Sequence, residues 1–345
     1  MFYIILYLII LFLYLLSIFK NKYKKIIVSL VFIILILVSG FRYYIGIDYA
    51  MYMNIFDYIK NLDFNYEVKR LEKGYYWLVN GIILVNGSQQ LVFFICSLVT
   101  NMFIYKTIKK LSSNMMLSTM IYFLVGPYYS ASFNLMRQVL AISIFLYAIA
   151  ILKNKKRITF IFWTLLGSLF HKSCFLLLPI FILDKIKLNN KMKILLLVLT
   201  IGFNSNLPKL YEIAGYGYYM VLKYEATTNF ITLSFFLILV LLIEWYEKKM
   251  DIDIIDKNIN FITLLLLITI FINEKTFPTA NQVFVRMSSY FFFYYIILIP
   301  KLLEILKKKF GKIVIIVFFM AISILYFKTF LLQLPEYQYN FKLFY

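Results

Sequence analysis

The chain has 345 residues, of which 63% are hydrophobic and 20% aromatic, and its formal net charge is +20. A soluble globular protein is about 45–50% apolar, so this composition excludes a water-soluble domain. So basic a chain invites a nucleic-acid reading, but lysine-rich inner loops of a membrane protein account for the charge and the apolar content together; no nucleic acid is expected as a partner. Only five of the 36 basic residues are arginine, namely Arg42, Arg70, Arg137, Arg157 and Arg286. Lysine here marks topology, and an arginine is the more informative cation.

In chain order, the first apolar stretch, Met1 to Phe19, has neither a basic leader nor a small-residue cleavage site. It reads as a retained transmembrane helix rather than a signal peptide. The apolar runs predict spans at 1–19, 24–41, 89–106, 114–131, 134–152, 158–171, 173–184, 194–207, 229–246, 259–273, 281–300 and 312–330. The expected fold is therefore all-α: one polytopic integral membrane domain over 1–345, with about 12 transmembrane segments, some short or broken, and long outer loops. Six basic clusters punctuate it, at Lys20–Lys25, Lys106–Lys110, Lys153–Arg157, Lys185–Lys193, Lys248–Lys257 and Lys301–Lys312. Placing these inside puts both ends of the chain outside. The inner loops then carry 23 basic and 7 acidic residues and the outer regions 13 and 9, so most of the net charge is a topology signal.

Two outer loops are long, about 42–88 and 208–229. The first contains Tyr75–Val85, apolar but too short to span alone, which reads as interfacial or re-entrant. The second holds Tyr211, Tyr216, Tyr218, Tyr219 and Tyr224, as an interfacial aromatic belt or a sugar-stacking surface would. All six prolines fall at expected span ends or in loops. Cys96 and Cys174 sit in apolar runs and read as buried, inert thiols, with no disulfide or zinc spacing around them. There is no internal repeat, phosphate-binding glycine loop or separable soluble domain; nucleotide hydrolysis, a cofactor and a metal are not expected.

Polar groups gather at the outer side. Arg42 closes the second span and Asp48 follows in Phe41-Arg42-Tyr43-Tyr44-Ile45-Gly46-Ile47-Asp48-Tyr49; Arg137 lies in the first turn of the fifth span and Arg286 early in the eleventh. Arg137 and Arg286 are each about 5–8 Å below their helix starts. Snorkelling to headgroups explains one such arginine; three at one level suit bidentate phosphate contacts, and hence a pyrophosphate. His171, the one histidine, sits at the tip of the short 158–184 interval in Gly167-Ser168-Leu169-Phe170-His171-Lys172-Ser173. It is a candidate general base or phosphate donor, against the alternative of a structural histidine. Among the outer carboxylates Asp48 lies hard against the membrane edge, and Glu72 precedes the re-entrant candidate Gly74-Tyr75-Tyr76-Trp77-Leu78.

These residues carry a resemblance. The Phe41–Tyr49 stretch with Tyr52 and Phe56 resembles the first-loop signature of the EpsG family. Glu72-Lys73-Gly74-Tyr75 through Asn80, Asn134-Leu135-Met136-Arg137-Gln138, Gly167–Ser173 with Pro179, and Arg286 to Tyr290-Phe291 before Pro300 are similar to its later blocks. Asn134 and Met136 before the Arg-Gln pair, and Cys174 after Ser173, depart mildly from the pattern. The resemblance implies a Wzy-like polysaccharide polymerase of capsule, exopolysaccharide or O-antigen assembly in the cytoplasmic (inner) membrane of a bacterium. Such an enzyme joins undecaprenyl-pyrophosphate-linked oligosaccharides at the outer face, with no metal, beside a chain-length regulator and flippase of the same pathway. It further implies that Arg137 and Arg286, with Arg42 as a third candidate, hold the pyrophosphate. Asp48 or His171 would activate the acceptor hydroxyl, supported by Lys172 and Glu72, while Gln138 and Tyr290 complete the candidate substrate contacts. The competing classes are a membrane-bound O-acyltransferase and a lipid-linked oligosaccharide flippase or transporter.

The orientation is directly testable. In intact cells a membrane-impermeant maleimide should label a Leu62→Cys variant and reach a Lys155→Cys variant only after lysis; the reverse pattern overturns the topology.

Overall fold

The computed structural model describes residues 2–125, 128–206, 209, 230–273, 278–328 and 340–341. It is built almost wholly of helices. They are α1 (Phe2–Phe19), α2 (Lys24–Gly40), α3 (Tyr49–Lys60), α4 (Tyr66–Lys69), α5 (Lys73–Leu84), α6 (Gln89–Leu111), α7 (Met115–Leu124), α8 (Ala131–Asn134), α9 (Met136–Leu152), α10 (Arg157–Ser168) and α11 (Asn190–Ser205). After these come α12 (Phe230–Tyr246), α13 (Ile254–Asn273), α14 (Pro278–Phe292), α15 (Tyr295–Phe310) and α16 (Ile313–Phe327). Two strands of two residues, β1 (Arg42–Tyr43) and β2 (Asn340–Phe341), pair antiparallel. A 3-10 helix runs from Lys172 to Ile182.

The helices form two compact units, 1–181 with 306–345, and 182–305. In the first, α9 is the central element: nearly every side chain is buried, and it packs on α6 and α10 while α2 packs on α6. The peripheral α1 buries Tyr3, Leu6 and Ile10 along one stripe and leaves Leu8, Phe12 and Leu15 exposed, as a lipid-facing helix does. The 42–88 segment is ordered. Its α3 is amphipathic, burying Tyr49, Tyr52, Ile55, Phe56 and Ile59, and Tyr49 stacks on Phe93 of α6 with centroids 4.5 Å apart and planes 4° from parallel. The Tyr75–Val85 stretch is helical as α5, with Tyr75, Val79 and Ile82 inward.

Several expected spans are changed. Three described helices are long and apolar enough to cross a membrane alone, Phe2–Phe19, Gln89–Leu111 and Ile254–Asn273, or four if one bent pair counts as a span; a total of twelve does not follow from helix length. The expected span 281–300 is two helices, α14 and α15, with a 54° bend. At the bend, Tyr294 donates to Asp256 and Tyr295 to Asn260 Oδ1 at 2.7 Å, two acceptors four residues apart on one face of α13. The helix α13 starts at Ile254 rather than 259, so Asp256 and Asn258, expected in a loop, lie within it, buried and bonded, as does Asn260. The interval 158–184 is broken as expected, into α10 and the 3-10 helix. At about 18 Å and about 22 Å, both fall short of a ~30 Å hydrocarbon layer. Pro179 and Pro300 lie inside helices, correcting their assignment to span ends, and Pro278 opens α14. The tyrosine-rich 208–229 loop lies outside the described residues apart from Lys209.

Two glycines let the 42–88 segment seat closely. Gly46 has φ +98°, and a Cβ there would lie 2.4 Å from the Phe133 carbonyl oxygen. At Gly74 it would lie 2.7 Å from Leu169 Cβ, where the Gly74 N–H donates to the Leu169 carbonyl at 2.9 Å. Gly81 on α5 has nothing within 4 Å. Gly46→Ala should lower stability by about 1–3 kcal/mol, and Gly81→Ala should leave it unchanged or raise it by about 0.5–1 kcal/mol, as read by thermal melting in detergent.

Candidate active site

Arg137, in the first turn of α9, is held by Glu72, the residue before α5. Arg137 Nη1 donates to Glu72 Oε2 at 2.6 Å, with the arginine side chain 22% and the glutamate 9% exposed. A carboxylate at a helix N-terminus is favoured by the helix dipole, yet Glu72 makes no cap hydrogen bond to its own helix. Its second oxygen, Oε1, instead accepts the backbone N–H of Lys172 at 3.3 Å. Lys172 opens the 3-10 helix, so its N–H has no partner within that helix. Glu72 thus ties the start of α9 to the His171 turn, and the Gly74–Leu169 hydrogen bond holds the same turn against α5.

Around this pair the surroundings are aromatic. The Arg137 guanidinium lies 5.6 Å from the Tyr75 ring centroid and 6.0 Å from that of Tyr52. The Tyr52 hydroxyl donates to the Asn134 carbonyl at 3.4 Å. Burial raises that hydroxyl above its ordinary pKa, Arg137 pulls it down and Asp48 pushes it up, so Asp48 is within electrostatic reach of the group that lies beside Arg137. Asp48 is half-buried at the start of α3, and the turn before it docks on α8 through Ile47 N–H to Asn134 Oδ1 at 2.8 Å. Arg137 Nε and the Tyr75 hydroxyl are buried with no acceptor among the described residues.

His171 is half-exposed, and its Nδ1 lies 2.6 Å from Ser173 Oγ. With Nδ1–H donating, Nε2 keeps the lone pair a general base needs. The Lys172 side chain is exposed. Among the described residues, no group of three His, Cys, Asp or Glu could hold a metal ion.

Arg42 is placed differently. It is 1% exposed, donates to the carbonyls of Ser39 and Ser132, and lies between Phe93 and Phe133, 4.9 and 5.3 Å from their centroids. Burial lowers its pKa, with the Tyr49, Tyr129 and Tyr52 oxygens opposing; no ion pair to a carboxylate exists among the described residues. Gln138 is buried beside Arg137 on α9. Arg286 and Tyr290 belong to the second unit, one turn apart on α14, Arg286 exposed and Tyr290 buried. The first unit therefore brings together Glu72, Arg137, His171 and Lys172, with Asp48 connected through Tyr52. Tyr52 and Tyr75 belong to this cluster though neither stands out as a site residue in the sequence; the available signal was spacing, Tyr52 one helical turn from Asp48 and Tyr75 three residues from Glu72.

A model of the EpsG family matches residues 25–342, a range that contains every residue of this cluster. No curated protein and no solved structure matches the chain.

The Glu72–Arg137 contact should be measurable in a double-mutant cycle. Glu72→Ala alone leaves buried donors unpaired and should cost about 1–3 kcal/mol. The coupling with Arg137→Ala, from melts in detergent, should exceed about 0.5 kcal/mol; additive effects would contradict the pairing.

Proposed function

The chain belongs to the EpsG family, and on that footing we propose that it is a Wzy-like polysaccharide polymerase of the bacterial cytoplasmic membrane. The observation that carries the reading is a guanidinium held beside a histidine turn: Arg137, fixed by Glu72, next to His171. The reaction is glycosyl transfer from a polyisoprenyl pyrophosphate. The bond between the anomeric carbon and the pyrophosphate oxygen breaks, and a bond to the acceptor hydroxyl forms. The hydroxyl proton passes to His171 or Asp48, and undecaprenyl pyrophosphate departs with its charge stabilised by Arg137. Arg286, exposed on α14, supplies a second cation for anionic substrate, tested in its own right. Buried Arg42 braces the first loop instead of touching substrate. The active face is the outer one, where lysine is sparse.

A deletion strain complemented with each variant provides the test, through gel analysis of surface glycan. Wild type should give a ladder and Arg137→Ala a single repeat-unit band. Full ladders from both Arg137→Ala and Arg286→Ala would overturn the role of the arginines. Ladders that persist without acyl groups would indicate an O-acyltransferase, and repeat units trapped on the inner leaflet a flippase.

A further inference from the structure

Resting on the reading of Arg137 as the pyrophosphate ligand, the geometry points to a built-in exchange: Glu72 occupies the place of the substrate phosphate and is displaced when the donor binds. Glu72 meets the arginine at one point, Nη1, while Nε is buried with no acceptor among the described residues. A guanidinium fork is better matched by the paired oxygens of a phosphate. Of the two partners, the arginine side chain is the more exposed, 22% against 9%. A carboxylate and a pyrophosphate on one guanidinium repel each other, and Glu72 gives way. Its other oxygen then also loses its position against Lys172 N–H, a contact already long at 3.3 Å. Because Lys172 adjoins His171, donor binding frees the N-terminal end of the 3-10 helix, while the Gly74–Leu169 bond keeps the turn attached. Glu72 is thus a positioning residue that keeps Arg137 aimed in the empty site and links its loading to the histidine turn.

Glu72→Gln is the informative variant, because the amide can still accept from Lys172 N–H but no longer competes as an anion. With the purified full chain in detergent and farnesyl pyrophosphate as probe, Glu72→Gln should bind about tenfold more tightly than wild type, as the relief of like-charge repulsion at a partly exposed site predicts. Polymerisation in cells should nevertheless slow. Unchanged or weaker binding by folded Glu72→Gln overturns the exchange. Arg137→Ala separates the two ideas: wild-type affinity in that variant would remove the pyrophosphate reading itself. A second measurement needs no change at Glu72. Maleimide labelling of a Lys172→Cys variant should accelerate on adding the probe, and an unchanged rate overturns the release of the turn.

Discussion

The contact between Arg137 and Glu72 joins three stretches of chain that are distant in sequence: the start of α9, the segment before α5, and the turn around His171. Its necessity follows from where Arg137 stands. A guanidinium keeps its proton under any ordinary condition, and α9 is an almost wholly buried helix, with Arg137 its one charged side chain. Such a charge needs a partner brought to it from elsewhere. The 42–88 segment supplies one, and to do so it folds back as three helices. Tyr49 and Tyr52 of α3 fill the space beneath, and Gly46 and Gly74 allow backbone to approach backbone at α8 and at Leu169. The apolar faces of α3 and α5 seat this segment on α6 and α9, and from that seat Glu72 brings the arginine its counter-charge.

What could be read from sequence follows the range of the forces involved. Apolar runs set by local composition gave helices close to the expected bounds at Phe2–Phe19, Lys24–Gly40, Met136–Leu152 and Phe230–Tyr246. The break after Phe292 was hidden. The run from Tyr290 to Ile299 is uniformly aromatic and aliphatic, and the groups that Tyr294 and Tyr295 bond at the bend, Asp256 and Asn260, lie more than thirty residues earlier. Asp256 in turn looked like loop, because it follows a run of charged residues and reads as solvated unless its partners are known. Lys301, which pairs with Asp256 at 3.2 Å, likewise read only as an inner-face marker.

The site was legible as a list and not as an arrangement. Glu72, Arg137, His171 and Lys172 stood out because ionisable groups are costly in an apolar chain. That Glu72 meets Arg137, sixty-five positions away, and that it does so with one oxygen while the other receives Lys172 N–H, depends on packing that no local pattern encodes. Gly74, two residues after Glu72, is the nearest thing to a local signal, since a close backbone approach demands a residue without a Cβ there.

Arg42 and Arg137, both in the first unit, differ in burial and in the kind of partner each has. Arg42 is solvated by carbonyl oxygens and two phenyl faces, with almost no surface left. Those partners are parts of the backbone and core, so nothing exchanges there without disturbing the packing around Ser39 and Ser132. Arg42 also approaches Met136 Sδ at 3.8 Å, one residue from Arg137, and so bears on where the first turn of α9 lies. Arg137 has a single carboxylate as its counter-ion and is 22% exposed where Arg42 is 1%, although the Nε of each is buried without an acceptor among the described residues. A ligand anion can take over such a contact at modest cost, because it replaces one carboxylate instead of a packed wall. On the proposed function the same residue type is a brace at one position and a receptor at the other, and the difference lies in whether its counter-groups can leave.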